Sequence, residues 1–235
     1  MNLKSTDSFT AAELYLLADA FGGNVLFGLP DKEIYQLRGE EVFEEGYLRL
    51  IDKKILTSEG KMTSGGAMIV RVLERYHQSE KYVRINNLMF AFTDPEAEDL
   101  ILLVELENSE HYQLKILSKV HVLKVLTDHF PLILREPAEN EKSFIKTELT
   151  HQERHMAENF EPDMFMNLEF FHLNEEPWEV NNPRYYQQWL IFIKDNTLIM
   201  VDTILKKYYH TSQYWFLKVL FDELEFPYKG ETVHA

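Results

Sequence analysis

The first part of the chain has the hydrophobic spacing of a helix. Thr10-Ala11-Ala12-Glu13 is a capping box, in which the threonine hydroxyl and the glutamate carboxylate each accept a hydrogen bond from the other residue's amide. The following apolar positions have the i, i+3, i+4, i+7 spacing of one helix face: Leu14, Leu17, Ala18 and Phe21. Gly22-Gly23 then provides a left-handed stop. The pattern predicts an N-terminal helix that ends at this glycine pair.

Two further helices and a hairpin are predicted before the first strands. A second helical pattern runs from about Glu40 to Lys53, and Ser58-Glu59-Gly60 has the composition of a hairpin turn. Ser64 is the expected N-cap of the next helix. The positions expected to face inward on these two helices are Phe43, Tyr47, Leu50, Ile51, Met68, Ile69, Val72, Leu73 and Tyr76. The N-terminal piece therefore consists of helix, helix, hairpin and helix.

The pattern changes to that of strands after Lys81. The continuous apolar run from Leu100 to Leu106 is typical of a strand covered on both faces, and we expect it to be the central strand. Ser118 is expected to cap a further helix that Pro131 follows. The second half of the chain repeats the plan, with strands predicted at 167–173, 188–193 and 197–203 and a last helix at 212–224. These elements predict an α+β fold with a central, largely antiparallel sheet flanked by helices.

The two helices that follow the strands share a sequence motif. Ser118 and Ser212 each precede Leu-Lys-Val-Leu by five residues, and the turn Asn86-Asn87 has a counterpart in Asp195-Asn196. Because the two offsets differ, the pattern indicates a duplication within one domain and not a solenoid of even repeats. We predict a single domain over 1–235, with related halves at about 1–134 and 143–235. The charged segment between them, from Arg135 to His155, is predicted to be a mobile connector.

The composition argues against several classes of function. The chain has 235 residues, is 45% apolar and carries a formal net charge of −15, which disfavours binding to nucleic acid or to anionic membranes. It has no cysteine, so disulfides, thiolate catalysis and cysteine-ligated metals are excluded. No window approaches the roughly 20 apolar residues that a membrane-spanning helix requires. We expect a cytoplasmic protein that does not insert into membranes.

The histidines His151 and His155 are the most site-like polar cluster. At i and i+4 they would share one helix face and could ligate zinc, but Gln152 stands where the zinc protease motif has its glutamate. In a polar connector such a pair is more often a solvated surface. The chain has no nucleophile elbow, P-loop or dinucleotide-binding glycine motif. We therefore expect no enzyme activity, no metal and no cofactor.

DNA binding is the alternative from another functional class. The helices and hairpin around Lys53 to Tyr76 could form a winged helix, with Arg71 and Arg75 four residues apart on its last helix. Lys53, Lys54 and Lys61 would lie near the wing. This basic patch is thin for so acidic a chain, and a solvated helix surface is the preferred interpretation of it.

The last helix carries more apolar surface than one buried face needs. Its apolar residues are Tyr214, Trp215, Phe216, Leu217, Val219, Leu220, Phe221 and Leu224. Either the helix is deeply buried, or Tyr214, Trp215 and Phe221 form part of a groove for a partner helix. The acidic loop that contains Asp94, Glu96 and Glu98 is a second candidate for partner binding.

The order of these segments resembles a known family, the EspG-type chaperones of type VII secretion, and more closely their Gram-positive EsaE-like members. The helix SFTAAELYLLADAFGG leads to Leu29-Pro30, and GYLRLIDKKILTSEGKMTSGGAMIVRVLERY then forms helix, hairpin and helix. Strands and a capped helix follow, and a second half repeats the sheet and helix. The resemblance is strongest from Ser8 to Pro131.

The resemblance implies an EspG-like fold whose two halves are related by pseudo-twofold symmetry. It also implies a non-enzymatic cytoplasmic chaperone or adaptor that binds a helical secreted substrate or toxin and keeps it soluble for the secretion machinery. Secretion ATPase machinery is a further expected partner, and a homodimer through the sheet edges is compatible with the sequence. No motif of the family fixes which residues bind the substrate, so the positions named above rest on location alone.

Overall fold

The computed structural model describes residues 8–93, 98–106, 110–139, 141, 143–176 and 182–226. The chain divides into two compact units. The first contains the described residues up to Tyr82 together with Asn87–Leu117, and the second contains Val83–Asn86 and the described residues from Ser118 onward.

The first unit contains four helices and five strands within its described residues. They are β1 (Phe9–Thr10), α1 (Ala11–Ala18), α2 (Lys32–Leu37), α3 (Glu41–Asp52), α4 (Ser64–His77), β2 (Lys81–Ile85), β3 (Leu88–Phe92), β4 (Asp99–Leu106) and β5 (His111–Ser118). The strand β2 begins in this unit and ends in the second. The order β1-β5-β4-β3 builds the sheet, and the pairs β1–β5 and β3–β4 are antiparallel. The strand predicted over Leu100–Leu106 is confirmed as β4, which lies between β5 and β3, whereas its central place in the sheet is not confirmed.

Local capping signals of the first unit are confirmed with one shift. Thr10 N–H donates to the Glu13 carboxylate at 2.6 Å, and Glu13 N–H donates to the Thr10 hydroxyl at 3.2 Å. Gly22 takes the expected left-handed conformation at φ 77°. The cap of α4 is Thr63 and not Ser64, because the Thr63 hydroxyl accepts the Gly66 amide at 3.1 Å.

The inward faces of α3 and α4 differ from the prediction at two positions. Tyr47 is 37% exposed and Met68 is 67% exposed, although both were expected to face inward. On α3 the buried positions are Gly46 and Leu50. A Cβ at Gly46 would lie 3.3 Å from the side chain of Leu16 in α1, so α3 and α1 approach closely there. Tyr47, which follows the glycine, is turned outward.

The predicted hairpin between α3 and α4 is confirmed. Leu56 and Met62 form a β-bridge, and Thr57 N–H donates to the Lys61 carbonyl at 2.8 Å. Gly60 supplies the positive φ, 77°, that the turn requires.

The second unit contains three helices and five complete strands within its described residues. They are α5 (Lys119–His129), β6 (Lys146–Glu148), α6 (His151–Glu158), β7 (Phe165–His172), β8 (Tyr186–Lys194), β9 (Thr197–Asp202), β10 (Lys207–Thr211) and α7 (Gln213–Glu223). The sheet has the order β7-β8-β9-β10-β6, and the pairs β7–β8, β8–β9, β9–β10 and β10–β6 are all antiparallel.

Alternation along these strands gives the sheet of the second unit two buried faces. Met166, Ile191 and Met200 are opposite one another in the register and fully buried on one face. Phe192, Ile199 and Val201 lie on the other face and pack with Ala157 of α6. A sheet covered on both sides leaves its functional surface to the edges and to the outer sides of the helices.

The segment from Arg135 to His155 is more structured than predicted. Its described residues contain β6 and the first part of α6 instead of a structureless connector. The strand β6 is short and polar, and only its pairing with β10 reveals it. It lacks the hydrophobic alternation from which strands are predicted, so the sequence pattern did not indicate it.

The fold is thus a mixed α/β structure with a largely antiparallel sheet, as expected. The EspG-like arrangement, the pseudo-twofold symmetry and the division into halves stay predictions. The two matched turns occupy different places in the element order: Asn86-Asn87 joins β2 to β3, the first two of four successive strands, whereas Asp195-Asn196 joins the second and third of the later four. The two matched helices, in contrast, each follow the fourth strand.

Candidate functional site

The last helix, α7, is held firmly at its beginning. The Ser212 hydroxyl accepts the Trp215 amide at 3.2 Å and also accepts the Ile145 amide at 3.0 Å. Along the helix, Gln213, Phe216 and Leu220 are buried. This spacing of three and four residues places one face of α7 in the core and leaves the opposite face for contact with other molecules.

A buried ion pair fastens the chain before β6 to the same helix end. The Arg135 guanidinium lies 2.6 Å from the Glu141 carboxylate, whose other oxygen accepts the Gln213 amide at 2.7 Å. Both charged side chains are at least nine-tenths buried. Burial raises the pKa of Glu141, but the hydrogen bonds from Arg135 and Gln213 outweigh it and hold this pKa below its usual range.

The outer side of α7 carries an apolar strip made of Tyr214, Leu217 and Phe221. Tyr214 is 44% exposed, and Leu217 and Phe221 are half-buried. The ring of Phe144, a side chain that is 62% exposed, lies 6.1 Å from the Tyr214 ring. We call Tyr214, Leu217, Phe221 and the adjoining Phe144 the α7 strip. It places two of the three aromatic residues predicted for partner binding, Tyr214 and Phe221, on one side of the helix.

Trp215 faces a different direction and belongs to an aromatic cage. The ammonium of Lys146 lies 5.0 Å from the Trp189 ring centre, 4.4 Å from that of Tyr209 and 5.4 Å from that of Trp215. These distances are in the range in which an aromatic ring attracts a cation. Lys146 is exposed as a residue, but partial loss of water around its ammonium lowers its pKa. We call Trp189, Tyr209 and Trp215 the aromatic cage.

Two polar atoms beside the cage have no partner in the described part of the chain. They are the Thr211 hydroxyl and the Trp215 indole nitrogen, both fully buried. Thr211 is the residue opposite Lys146 in the β10–β6 pairing. An unsatisfied buried donor lowers the free energy of unfolding by about 1–3 kcal/mol. Such atoms are uncommon in native folds, and each one calls for an explanation.

A shallow apolar groove of about 250 Å³ lies elsewhere on the second unit. Its lining residues are Pro131, Leu132, Arg135, Phe160, Asp163, Met164 and Ile193. Because Arg135 also contacts Gln213, the groove lies near the beginning of α7. Met164 is 48% exposed and gives it an adaptable apolar wall.

The acidic candidate loop is described only at its end. Asp94 and Glu96 lie outside the described residues, whereas Glu98 is exposed in the first unit, directly before β4. Its predicted role in partner binding stays a prediction.

The basic patch of the DNA-binding alternative is weaker than its sequence suggested. Lys53 is buried and lies 2.6 Å from the Glu13 carboxylate, and Lys61 pairs with Glu59 at 2.7 Å. Arg75 donates to the Thr93 hydroxyl at 3.0 Å, while Arg71 is exposed. The buried lysine supports the fold of the first unit and is not available to a phosphate.

The histidine pair begins α6. His151 and His155 are both exposed, and Glu153 between them closes a capping box with Thr150. Within the described ranges, no group of three His, Cys, Asp or Glu side chains is placed to hold a metal ion. The carboxylate of Glu153 is engaged in the capping box at the start of α6.

Phe144 and Lys146 are candidate residues that the sequence reading missed. Both lie in the segment read as a connector, and their importance comes from contacts with Tyr214 and with the aromatic cage. The run Ser-Phe-Ile-Lys-Thr-Glu-Leu-Thr from 143 to 150 does contain isolated apolar residues within a charged segment, which is a weak signal for an edge strand.

Comparison with known families decides where this chain belongs. The family described as Domain of unknown function (DUF5081) matches residues 3–232. The chain belongs to the DUF5081 family. The family match covers both units, so α7, the cage and the α7 strip all lie within the DUF5081 domain.

Two curated proteins of the same name are similar to this DUF5081 member. The Type VII secretion system protein EsaE of Staphylococcus aureus, from strain USA300 and from strain NCTC 8325 / PS 47, is 25% identical over 194 residues. The aligned region covers 82% of this chain and 83% of each relative. The homology to EsaE confirms the resemblance inferred from the order of helices and hairpin.

The described residues include no helix that is long and apolar enough to cross a membrane.

Proposed function

We propose that this chain is a non-enzymatic chaperone or adaptor of type VII secretion. It binds a helical secreted substrate or toxin in the cytoplasm, keeps it soluble and presents it to the secretion machinery. Homology to EsaE, named as a type VII secretion system protein, supports the link to secretion. The secretion ATPase machinery as a further partner, and a homodimer, stay predictions.

The α7 strip is the observation that carries the binding role. Tyr214 of α7 and Phe144, whose ring lies beside it, remain well exposed, although α7 buries Phe216 and Leu220 completely. Exposed apolar residues that adjoin one another mark binding surfaces more often than isolated ones do. A substrate helix that covers this strip would bury aromatic anchors, which dominate the affinity of such contacts.

Charge supports a basic stretch in the substrate. The chain carries a net charge of −15, and an acidic surface attracts a basic partner and raises its association rate more than its final affinity. A chaperone that must bind and later release its substrate gains from fast encounter with modest tightness.

The test combines secretion with direct binding. In a strain that secretes type VII substrates, deletion of the gene should lower the amount of one or more substrates outside the cell and in the soluble cytoplasm. A tagged chain should capture the same substrate, and the double variant Phe144→Ser/Tyr214→Ser should lose it while it keeps the thermal stability of the unchanged chain. Tyr47→Ser, which changes a tyrosine of similar exposure in the first unit, is the matched control.

The proposal fails if substrate levels do not change in the deletion strain. The role of the α7 strip fails separately if the double variant and Tyr47→Ser retain the substrate equally.

DNA binding remains the second candidate because the hairpin between α3 and α4 forms as a winged helix requires. It predicts retention on DNA that decreases steeply with salt and is lost in Arg71→Gln. Absence of retention at low salt would remove this candidate.

A further inference from the structure

The strand β6 is an edge strand with little hold on the core. It has three residues, all exposed, and it pairs antiparallel with β10 from Lys146 opposite Thr211 to Glu148 opposite Tyr209. The Leu149 amide donates to the Tyr208 carbonyl at 2.8 Å, and the Ser212 amide donates to the Ile145 carbonyl at 3.0 Å. Backbone hydrogen bonds therefore provide most of the attachment of β6.

Alternation determines which groups of β6 meet β10. Hydrogen-bonded pairs recur at every second residue of an antiparallel ladder, so the bonds at Ile145 and Leu149 place the Thr147 amide toward β10. Lys146, one residue earlier, points to the opposite face from Thr147, and there its ammonium lies within the aromatic cage. The resident segment thus combines a strand backbone with a lysine in a cage.

We propose that the edge of β10 and the aromatic cage form a docking site for an extended, lysine-bearing segment of a partner protein, which β6 and Lys146 occupy in the free chain. The partner segment adds to β10 as a strand in place of β6. Its lysine enters the cage formed by Trp189, Tyr209 and Trp215.

The contacts of β6 itself show what the site accepts. Its backbone pairs with β10. The ammonium of Lys146 contacts three aromatic rings and forms no ion pair with any described residue. Extended peptides commonly bind by adding a strand to a sheet edge, with alternate side chains read by pockets. The cage is such a pocket, and its chemistry selects a cationic side chain.

The resident strand also fits the site incompletely. The Thr211 hydroxyl and the Trp215 indole nitrogen, both beside Lys146, have no hydrogen-bond partner in the described chain. A segment that brings a side-chain acceptor onto the same face as its lysine, two residues before or after it, satisfies these donors as β6 does not. Because every side chain of β6 is exposed, its replacement removes no residue from the buried core.

A labelled synthetic peptide that copies residues 143–150 tests the exchange by fluorescence anisotropy. Thr147→Pro in the full chain removes the amide that faces β10 and loosens the resident strand, whereas Thr147→Ala keeps the amide and is the matched control. We expect the peptide to bind Thr147→Pro about tenfold more tightly than it binds the unchanged chain or Thr147→Ala. A peptide with methionine in place of the lysine should bind about three- to tenfold more weakly.

Lys146→Ala provides a second variant if Thr147→Pro does not fold. It empties the cage without altering the backbone, and the lysine peptide should bind it more tightly than the unchanged chain. The proposal is overturned if the lysine peptide binds the unchanged chain as tightly as it binds Thr147→Pro or, where that variant does not fold, Lys146→Ala. Equal affinity of the lysine and methionine peptides would also overturn it. The assay uses no secretion substrate, so its outcome is independent of the proposed chaperone function.

Discussion

The helices α5 and α7 of the second unit have the same plan and different attachments. At equivalent positions, Val122 and Phe216 are both buried, as are Leu126 and Leu220. The exposed positions also correspond, since Val120 is 78% exposed and Tyr214 is 44% exposed. The shared motif Leu-Lys-Val-Leu therefore goes with a shared buried face.

The beginnings of the two helices differ in every polar contact. The Ser212 hydroxyl caps α7, while the Ser118 hydroxyl bonds the His121 ring at 2.7 Å and caps no amide of α5. Gln213 is buried against Glu141, but the corresponding Lys119 makes a longer ion pair with Glu225 at 3.7 Å. The comparison teaches that a repeated motif sets the core face of a helix, whereas contacts outside the motif decide how firmly the helix is fixed.

The largest difference is expected for the buried carboxylate at α7. Glu141→Ala should lower the free energy of unfolding by about 3–5 kcal/mol, because it leaves the buried Arg135 charge unpaired. Glu225→Ala, the corresponding change near α5, should cost less than about 1 kcal/mol since its pair is partly exposed. Urea denaturation of both variants measures the two values. Similar losses would contradict the idea that α7 is the firmly fixed helix.

The same carboxylate predicts a pH dependence. Its pKa is lowered in the folded chain, so its stabilising contribution is fully present above the ordinary glutamate pKa and is lost as the pH falls through the folded value. The stability gap between the unchanged chain and Glu141→Gln should therefore narrow at acidic pH. Urea denaturation across that range checks the sign. A gap that widens toward low pH would show that the carboxylate is not stabilised by Arg135 and Gln213.

The capping serines should give the next largest difference. Ser212→Ala removes the acceptor of two amides, those of Trp215 and Ile145, and should cost about 2 kcal/mol. Ser118→Ala should change stability by less than about 0.5 kcal/mol, because this serine caps no amide. Thermal unfolding of the pair distinguishes them, and equal shifts in melting temperature would count against a special attachment of α7.

The predictable part of this molecule is the local part. The capping box at Thr10, the turn at Gly60 and the helix begun by Ser212 depend on residues within a few positions of each other, and all three were predictable. The inward face of α3 was not, because it depends on how closely Gly46 approaches the helix α1. A hydrophobic period shows that a helix has a buried face, but it gives only roughly which residues point into the core.

The candidate site was harder to predict because its contacts join distant segments. Glu141 and Gln213 are 72 residues apart, and no spacing rule relates them. Trp215 was expected to share a groove with Tyr214, but its ring lies beside the ammonium of Lys146, in the aromatic cage. This contact was not predictable because Lys146 belongs to an edge strand without hydrophobic alternation. Sequence indicates that α7 has surplus apolar surface, and only the tertiary contacts divide that surface between core, cage and strip.

The smallest effect on stability should carry the largest effect on function. Tyr214→Ser and the equivalent change on α5, Val120→Ser, each alter an exposed side chain and should shift the free energy of unfolding by less than about 0.5 kcal/mol. If the α7 strip anchors a substrate helix, Tyr214→Ser should nevertheless weaken that complex by about tenfold or more, because aromatic anchors dominate such interfaces. Val120→Ser should leave the affinity unchanged, as measured by titration calorimetry with the captured substrate. Equal weakening by both variants would mean that the two helices share the binding surface, and weakening by neither would remove the α7 strip from it.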